Sequence, residues 1–515
     1  MIKNVTTMEE PRYAIKTLLY TRCSHSISSK KNCKFIEKHY SVILLSFSSL
    51  LVIVLDGCEM CKTTIVILLS SIGLYYFIFQ RSKLVKPDLP ETFWGQEKNK
   101  GASKEIRPFK IDVSKSIIDD LNTRLENPRL NVEPLEGVGW TYGISAPYLK
   151  KIIEYWRNEY NWTERQSLLN KYPQFVTNIQ GLDIHFYHVK PSNLPKDRKV
   201  KVLPLLLVHG WPGSVVEFQK IIPLLTKPRP DRDFVFELVV PSLPGYGFSD
   251  GAVRPGLAPA HMGTIFKNLM TRLGFEKYYV QGGDWGAVIT SSMAALYPEN
   301  VIGLHSNMCF HMNPLNFWNI LGMFLPSLVV EKQYEHRMYP FKDHFYRLME
   351  ETGYMHLQAS KPDTIGLALT NSPVSLAGYI LEKFSMGSNP DYRTRNDGGL
   401  LEKFTLNELL DNLMIYWVTD SFTTSARLYA EQFTRKYWDL KIHEIPINVP
   451  SACAIFPQEF FYLSEKVLRT RYLNLIQFNY MPKGGHFAAM EESIIFADDI
   501  FEFVGKIVEL SNKRK

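Results

Sequence analysis

The stretch that most constrains this chain is Tyr278-Tyr279-Val280-Gln281-Gly282-Gly283-Asp284-Trp285-Gly286-Ala287-Val288-Ile289. A β-branched and aromatic run ends in two glycines, and the apolar positions that follow, Val288, Met293, Ala294, Leu296 and Tyr297, suit a helix. The stretch therefore reads as strand, sharp turn and helix, with Asp284 at the apex. A Gly-x-Asp-x-Gly turn holds one side chain above the end of a sheet, because small flanking residues tolerate the strained backbone. A carboxylate presented in this way can attack an electrophilic carbon directly and leave a covalent ester. The competing role is structural, a polar residue capping the helix after a Rossmann-like strand.

The flanking sequence repeats the alternation of strand and helix. Residues 175–189 predict a hairpin, with its turn in Asn178-Ile179-Gln180-Gly181-Leu182-Asp183-Ile184. Residues 200–208 are almost continuously apolar, as in a central parallel strand covered on both faces. This run ends in His209-Gly210-Trp211-Pro212-Gly213, where Pro212 limits the backbone of Trp211 and the glycines let the main chain approach a ligand. The Trp211 amide is thus a candidate for an oxyanion hole, against the plainer reading of a strand-to-helix turn. A helix over 214–225, a strand over 234–240, a helix over 260–273 and a strand over 301–306 complete the pattern. The class is α/β, a mainly parallel sheet flanked by helices, with the elbow of an α/β-hydrolase fold. Gly247-Phe248-Ser249-Asp250-Gly251 matches the serine form of that elbow, but it follows a Pro/Gly loop instead of a strand, so Ser249 is set aside.

An ester on Asp284 must be hydrolysed, which needs a base and a partner to orient it. His486, in Pro482-Lys483-Gly484-Gly485-His486-Phe487 after the last strand, is the base candidate, and Glu459, just after an earlier strand, is its partner. Glu491 and Glu492 read as capping the final helix or facing solvent. Strands are expected over 445–455 and 473–481 and a helix over 493–510. The predicted divisions are an extension over 1–59, a membrane anchor over 60–86, an arm over 87–174 with helices near 114–126 and 146–162, a first core segment over 175–306, a helical lid over 307–443 and a second core segment over 444–515. The lid is rich in aromatic, Met and Leu residues that suit an apolar pocket.

Two apolar runs, 41–55 and 63–79, follow a basic N-terminus, and the second is the better span. Lys62 precedes it, while Arg81, Lys83 and Lys86 follow it, which places the downstream domain in the cytosol. A start at Met60 would leave one ordinary N-terminal anchor, so residues 1–59 read as an extension or a mispredicted start. The net charge of +7 is concentrated in this region and suits a membrane surface better than nucleic acid. Of the six cysteines only Cys309 and Cys453 fall inside the main domain; this is no disulfide framework and fits a reducing compartment. Cys58 and Cys61 have metal-like spacing without a second pair, and no metal site is expected.

His209-Gly210-Trp211-Pro212, Gly282-Gly283-Asp284-Trp285-Gly286, Phe456-Pro457-Gln458-Glu459 and Gly484-Gly485-His486-Phe487-Ala488-Ala489 together resemble the microsomal epoxide hydrolases, most of all the insect juvenile hormone epoxide hydrolases. The resemblance runs from the anchor to the end of the chain. It implies an enzyme anchored in the endoplasmic reticulum membrane, with its catalytic domain in the cytosol. Two lid tyrosines bonding the epoxide oxygen fall by local motif on Tyr354 and Tyr429, and the Trp211 and Trp285 amides on the oxyanion hole. It further implies a lipophilic epoxide substrate opened by Asp284 and released by water as a vicinal diol, without cofactor. Juvenile hormone and xenobiotic epoxides both remain open as substrates, and the oligomeric state is unread. A haloalkane dehalogenase would share the Asp284 elbow, and a carrier that has lost catalysis would share the pocket.

Overall fold

The computed structural model describes Ser71 and residues 86–513, apart from Lys100, Ala102, Asn131, Pro314 and Leu315. The run over 41–55, Cys23, Cys33, Cys58 and Cys61, and all of the expected span except Ser71 lie outside the described residues. Among the described residues, no single helix is long and apolar enough to cross a membrane.

The apolar runs form strands β1 (Arg107–Phe109), β2 (Gln174–Ile179), β3 (Leu182–Val189), β4 (Lys201–Val208), β5 (Phe234–Pro241), β6 (Tyr278–Gly282), β7 (Val301–Ser306), β8 (Ser451–Ile455) and β9 (Leu475–Tyr480). They make one sheet in the order β1-β2-β3-β5-β4-β6-β7-β8-β9. From β5 to β9 every pairing is parallel, and β1 to β3 add an antiparallel edge. The β2–β3 hairpin turns at Gln180 and Gly181, both at positive φ as a tight hairpin requires. Strand β6 is buried along its whole length, as a central parallel strand covered on both faces must be.

The chain passes from β4 outward to β5 and then back across β4 to β6. This reversal opens a crevice at the carboxyl ends of β4 and β6, where ligands sit in open α/β sheets. Val208 pairs with Gly282, so the loops starting at His209 and Gly283 leave the sheet side by side. Apolar side chains form a core on each face of the sheet, with Phe496, Phe501, Phe503 and Val504 of the C-terminal helix filling one of them. The other core is continuous with the helices inserted between β7 and β8.

Residues 87–174 carry helices α1 (Lys115–Leu125), α2 (Ala146–Asn158) and α3 (Trp162–Leu169). The single helix expected over 146–162 is two, because Asn161 caps α3 by accepting from the Glu164 amide. Arg165 pairs with buried Asp411, which also accepts from the Tyr160 hydroxyl at 2.8 Å, so this segment is fastened to the insertion as well as to the core.

Three further expectations change. The helix over 214–225 is a short turn, Val215–Phe218, and a five-residue helix, Ile222–Thr226, with Pro223 in its first turn. Only Ser451–Ile455 of the run over 445–455 is strand, because Pro446 and Pro450 interrupt the ladder and leave one isolated bridge at Ile447. Cys309 and Cys453 are joined in a buried disulfide, with Cα atoms 5.8 Å apart. They meet because β7 and β8 are adjacent strands, although the insertion separates them in sequence.

Candidate active site

The helix that follows β6, α4 (Asp284–Leu296), begins at the apex aspartate. Asp284 has φ 48°, a left-handed backbone that is unfavourable by about 1–2 kcal/mol for an L residue. Glycines make the turn possible. A Cβ at Gly282 would stand 2.3 Å from the Gly286 carbonyl, and one at Gly286 would stand 1.9 Å from the Val208 oxygen. The strand-to-helix turn is thus packed backbone against backbone, and the carboxylate is thrown forward into the crevice.

The loop after β4 meets it there. The Trp211 amide donates to Asp284 Oδ1 at 2.8 Å, and a Cβ at Gly210 would lie 2.2 Å from that same oxygen. The Trp211–Pro212 peptide is cis. His209 is buried, and burial pushes its pKa down to about 4, so the ring is neutral. Its Nε2 accepts from the Leu243 amide at 3.1 Å, which leaves Nδ1–H to donate to the Gly210 carbonyl at 2.9 Å. From the insertion, the Asn412 amide donates to the Pro212 carbonyl and the Tyr416 hydroxyl to the Gly213 carbonyl. The loop is therefore held from both sides, by His209 from within the motif and by Asn412 and Tyr416, which no local motif singled out.

His486 enters from the loop after β9. Its Nδ1 donates to the Glu459 carboxylate, 2.9 and 3.0 Å from the two oxygens, and its Nε2 stands 3.5 Å from Asp284 Oδ2. Both His486 and Glu459 are buried. Burial alone would lower the imidazole pKa, but the charges and hydrogen bonds of Glu459 and Asp284 outweigh it and hold the ring protonated well above its usual range. Glu491 departs from the sequence expectation: its carboxylate accepts from the Gly485 and Phe487 amides, both at 2.9 Å, and so grips the loop on either side of His486. The apolar Phe487-Ala488-Ala489-Met490 run preceding Glu491 was the one signal that solvent would not surround it. Glu492 does stand at the start of the final helix, but it pairs with Lys403 and Lys483 instead of capping it.

Two tyrosines close the crevice from above. Tyr354, on α5 (Gly353–Ser360), stacks on the Trp211 indole at 5.2 Å and 19° between planes. Tyr429, on α6 (Phe422–Gln432), meets the Trp211 and Trp285 rings edge-on at 5.8 and 4.7 Å. The rings of the two tyrosines are 6.1 Å apart. Burial, with the charge of Asp284 adding to it, pushes both phenols above their ordinary pKa, so both keep their O–H. The structure thus brings Asp284, His486, Glu459, Tyr354, Tyr429, Trp211 and Trp285 to one place. Ser249 is excluded from it: its hydroxyl donates to the Ser242 carbonyl and accepts from the His185 amide, fixing the loop after β5.

Sheet order, elbow and connectivity define an α/β-hydrolase, and residues 204–331 match the family described as the alpha/beta hydrolase fold. Residues 106–218 match the one described as the epoxide hydrolase N terminus. Over 456 residues the chain is 50% identical to juvenile hormone epoxide hydrolase 1 of Ctenocephalides felis, covering 88% of this chain and 97% of that protein. It is 46% identical over 443 residues to epoxide hydrolase 1 of Oryctolagus cuniculus, covering 84% and 96%. The crystal structure of juvenile hormone epoxide hydrolase from Bombyx mori superposes with a TM-score of 0.80 at 48% identity, over 82% of this chain and 99% of that one. The chain belongs to the epoxide hydrolase family and is a hydrolase.

Proposed function

We propose that this enzyme opens a lipophilic epoxide, juvenile hormone foremost, to a vicinal diol by way of an ester on Asp284. The phenols of Tyr354 and Tyr429 donate to the epoxide oxygen while Asp284 Oδ2 attacks the less hindered ring carbon, breaking the C–O bond. The Trp211 amide already binds Oδ1, and with the Trp285 amide it holds the oxyanion that forms when water attacks Asp284 Cγ. The alkoxide formed on ring opening first takes the proton held on His486, relayed through the phenols. The imidazole, oriented by Glu459, is then free to take a proton from that water and return it to the departing alkoxide; the proton left on Asp284 then restores the imidazolium. Nucleophile, acid and base are all side chains, so this route calls on no metal or organic cofactor.

The observation that carries this reading is His486 Nε2 standing 3.5 Å from Asp284 Oδ2, with Nδ1 on Glu459. A single turnover with enzyme in excess, in oxygen-18 water, tests it. Unlabelled diol and label in Asp284 are expected, whereas label entering the diol directly would show water, not Asp284, opening the ring. The juvenile hormone assignment draws on relatives named for that substrate at 47–50% identity. The 46% identity to epoxide hydrolase 1, whose name specifies no hormone, favours a broader range of lipophilic epoxides as the second reading. Comparing kcat/KM for a terpenoid and an aryl epoxide separates the two.

In this reading the helices between β7 and β8 act as the lid, residues 87–174 as the arm, and residues 63–79 anchor the chain in the endoplasmic reticulum membrane with the domain in the cytosol. The sequon at Asn161 reports on the last point, since its glycosylation in microsomes would place the domain in the lumen.

A further inference from the structure

Next to Asp284 lies a cavity of about 10 Å³, room for a single water. Its wall includes Asp284, His486, Glu217, Gln281 and Asn307, and neither Tyr354 nor Tyr429. It is therefore distinct from the space beneath the phenols, although both share the nucleophile. The polar groups of the wall are incompletely satisfied. Gln281 Nε2 donates to Asn307 Oδ1 at 2.9 Å, but Gln281 Oε1 is buried and has no partner. Glu217 reaches the cavity from the turn Val215–Phe218, and the space for its carboxyl exists only because residue 213 is glycine: a Cβ there would stand 1.4 Å from Glu217 Oε1. Burial pushes the Glu217 pKa up to about 8; Asp284 pushes it further, while His486 and the Gly210 amide pull it back, so near neutrality the group is a neutral acid with an O–H to give.

We propose that this chamber seats the water that hydrolyses the ester, and that Glu217 is a positioning residue for it, together with Gln281. The inference rests on the covalent ester reading of the function. Once ring opening has discharged Asp284 and taken the proton from His486 Nε2, a water here accepts from the Glu217 O–H and donates to His486 Nε2 and to Gln281 Oε1, which fixes both of its protons and one lone pair. The remaining lone pair faces Asp284. When it attacks, a bond forms from water oxygen to Asp284 Cγ, one water proton passes to His486 Nε2, and the carbonyl electron pair moves to the oxygen held by the Trp211 amide. Collapse breaks the bond to the substrate oxygen, which takes the proton from His486. Glu217 keeps its own proton throughout; it orients and is not consumed.

The test follows the two half-reactions separately by rapid quench and mass spectrometry of the intact full-length enzyme with a terpenoid epoxide. In Glu217→Leu, ester decay slows about 10- to 100-fold, the scale expected of a misplaced reactant, while ester formation changes little. Glu217→Gln, whose amide also donates, restores most of the decay rate. Gly213→Ala displaces the carboxyl without removing it and slows the same step, which keeps the test alive if the leucine variant fails to fold. Unchanged ester decay in Glu217→Leu or in Gly213→Ala, or an equal slowing of both steps in Glu217→Gln, would overturn the inference alone. Native enzyme that never forms an ester would remove the functional reading first, and this inference with it.

Discussion

The lower and upper halves of the site are built by different means. Below, the Asp284 elbow and the Trp211 loop are fixed by backbone packed on backbone: glycines at 210, 282 and 286 admit no Cβ, and amides and carbonyls point at defined atoms. Above, Tyr354 and Tyr429 are held by ring faces and edges of Trp211 and Trp285. Tyr354 has the Lys383 ammonium 4.6 Å from its ring centroid. A site held by backbone geometry tolerates few residues at each point, whereas ring stacking leaves its donors room to adjust. The lower half should therefore fail one chemical step at a time, and the upper half by degrees.

The sharpest way to break that contrast lies at the nucleophile. Asp284→Ala should lower turnover by at least about 10⁴-fold, with no covalent adduct in the mass spectrum, since a residue acting as a unit with its partners leaves only residual catalysis when removed. An adduct on that variant would mean the elbow does not carry the nucleophile. His486→Gln should separate the steps: the ester forms and persists, because loss of the general base slows hydrolysis by about 10²–10⁴-fold. The same pair gives a pH prediction with a definite sign. In the resting enzyme, the Glu459 and Asp284 charges raise the His486 pKa against burial, so removing Asp284 should move its titration downward, read by imidazole NMR in native and Asp284→Ala protein.

The upper half should respond in smaller increments. Tyr354→Phe and Tyr429→Phe should each slow ester formation by about 10- to 100-fold, less than loss of a sole donor, because the other phenol still reaches the epoxide oxygen. The double variant should lose more than the product of the two, since no donor is left. Additive losses would show that the phenols act independently, and the contrast with the lower half would narrow.

The contrast also explains what the sequence made legible. Gly282-Gly283-Asp284-Trp285-Gly286 and His209-Gly210-Trp211-Pro212 are visible because backbone approach dictates residue type locally, and the run of residues 200–208 because a central strand must be apolar on both faces. Tyr354 and Tyr429 were reached only through the resemblance: among 27 tyrosines, ring stacking across long sequence separations leaves no local trace. The same holds for Asn412 and Tyr416, which act on the Pro212 and Gly213 carbonyls from a distant helix. Bonding of Cys309 to Cys453 depended on strand order, which the spacing of two cysteines does not encode. Where proline broke the helix over 214–225 and the strand over 445–455, the breakers were present and were outweighed by hydrophobic pattern.

The smallest effect tests whether a side chain can supply the fixity that backbone contacts supply elsewhere in the lower half. Glu491 holds the amides of Gly485 and Phe487 and touches neither nucleophile nor phenol. Removing it leaves two inward-facing N–H groups unpaired, a loss of about 1–3 kcal/mol that thermal unfolding should register in Glu491→Ala. Its effect on catalysis should fall on ester hydrolysis, because the loop it grips carries His486, and ring opening needs only Asp284 and the phenols. Glu491→Gln keeps one acceptor oxygen and should lie between native and alanine in both readouts. A stability loss with both half-reactions intact would show that the His486 loop is held well enough by the Glu459 contact and the bond from the His486 amide to the Gly387 carbonyl. The base would then resemble the phenols above it more than the elbow beside it, and the division of the site would run between Asp284 and His486 instead of between core and insertion.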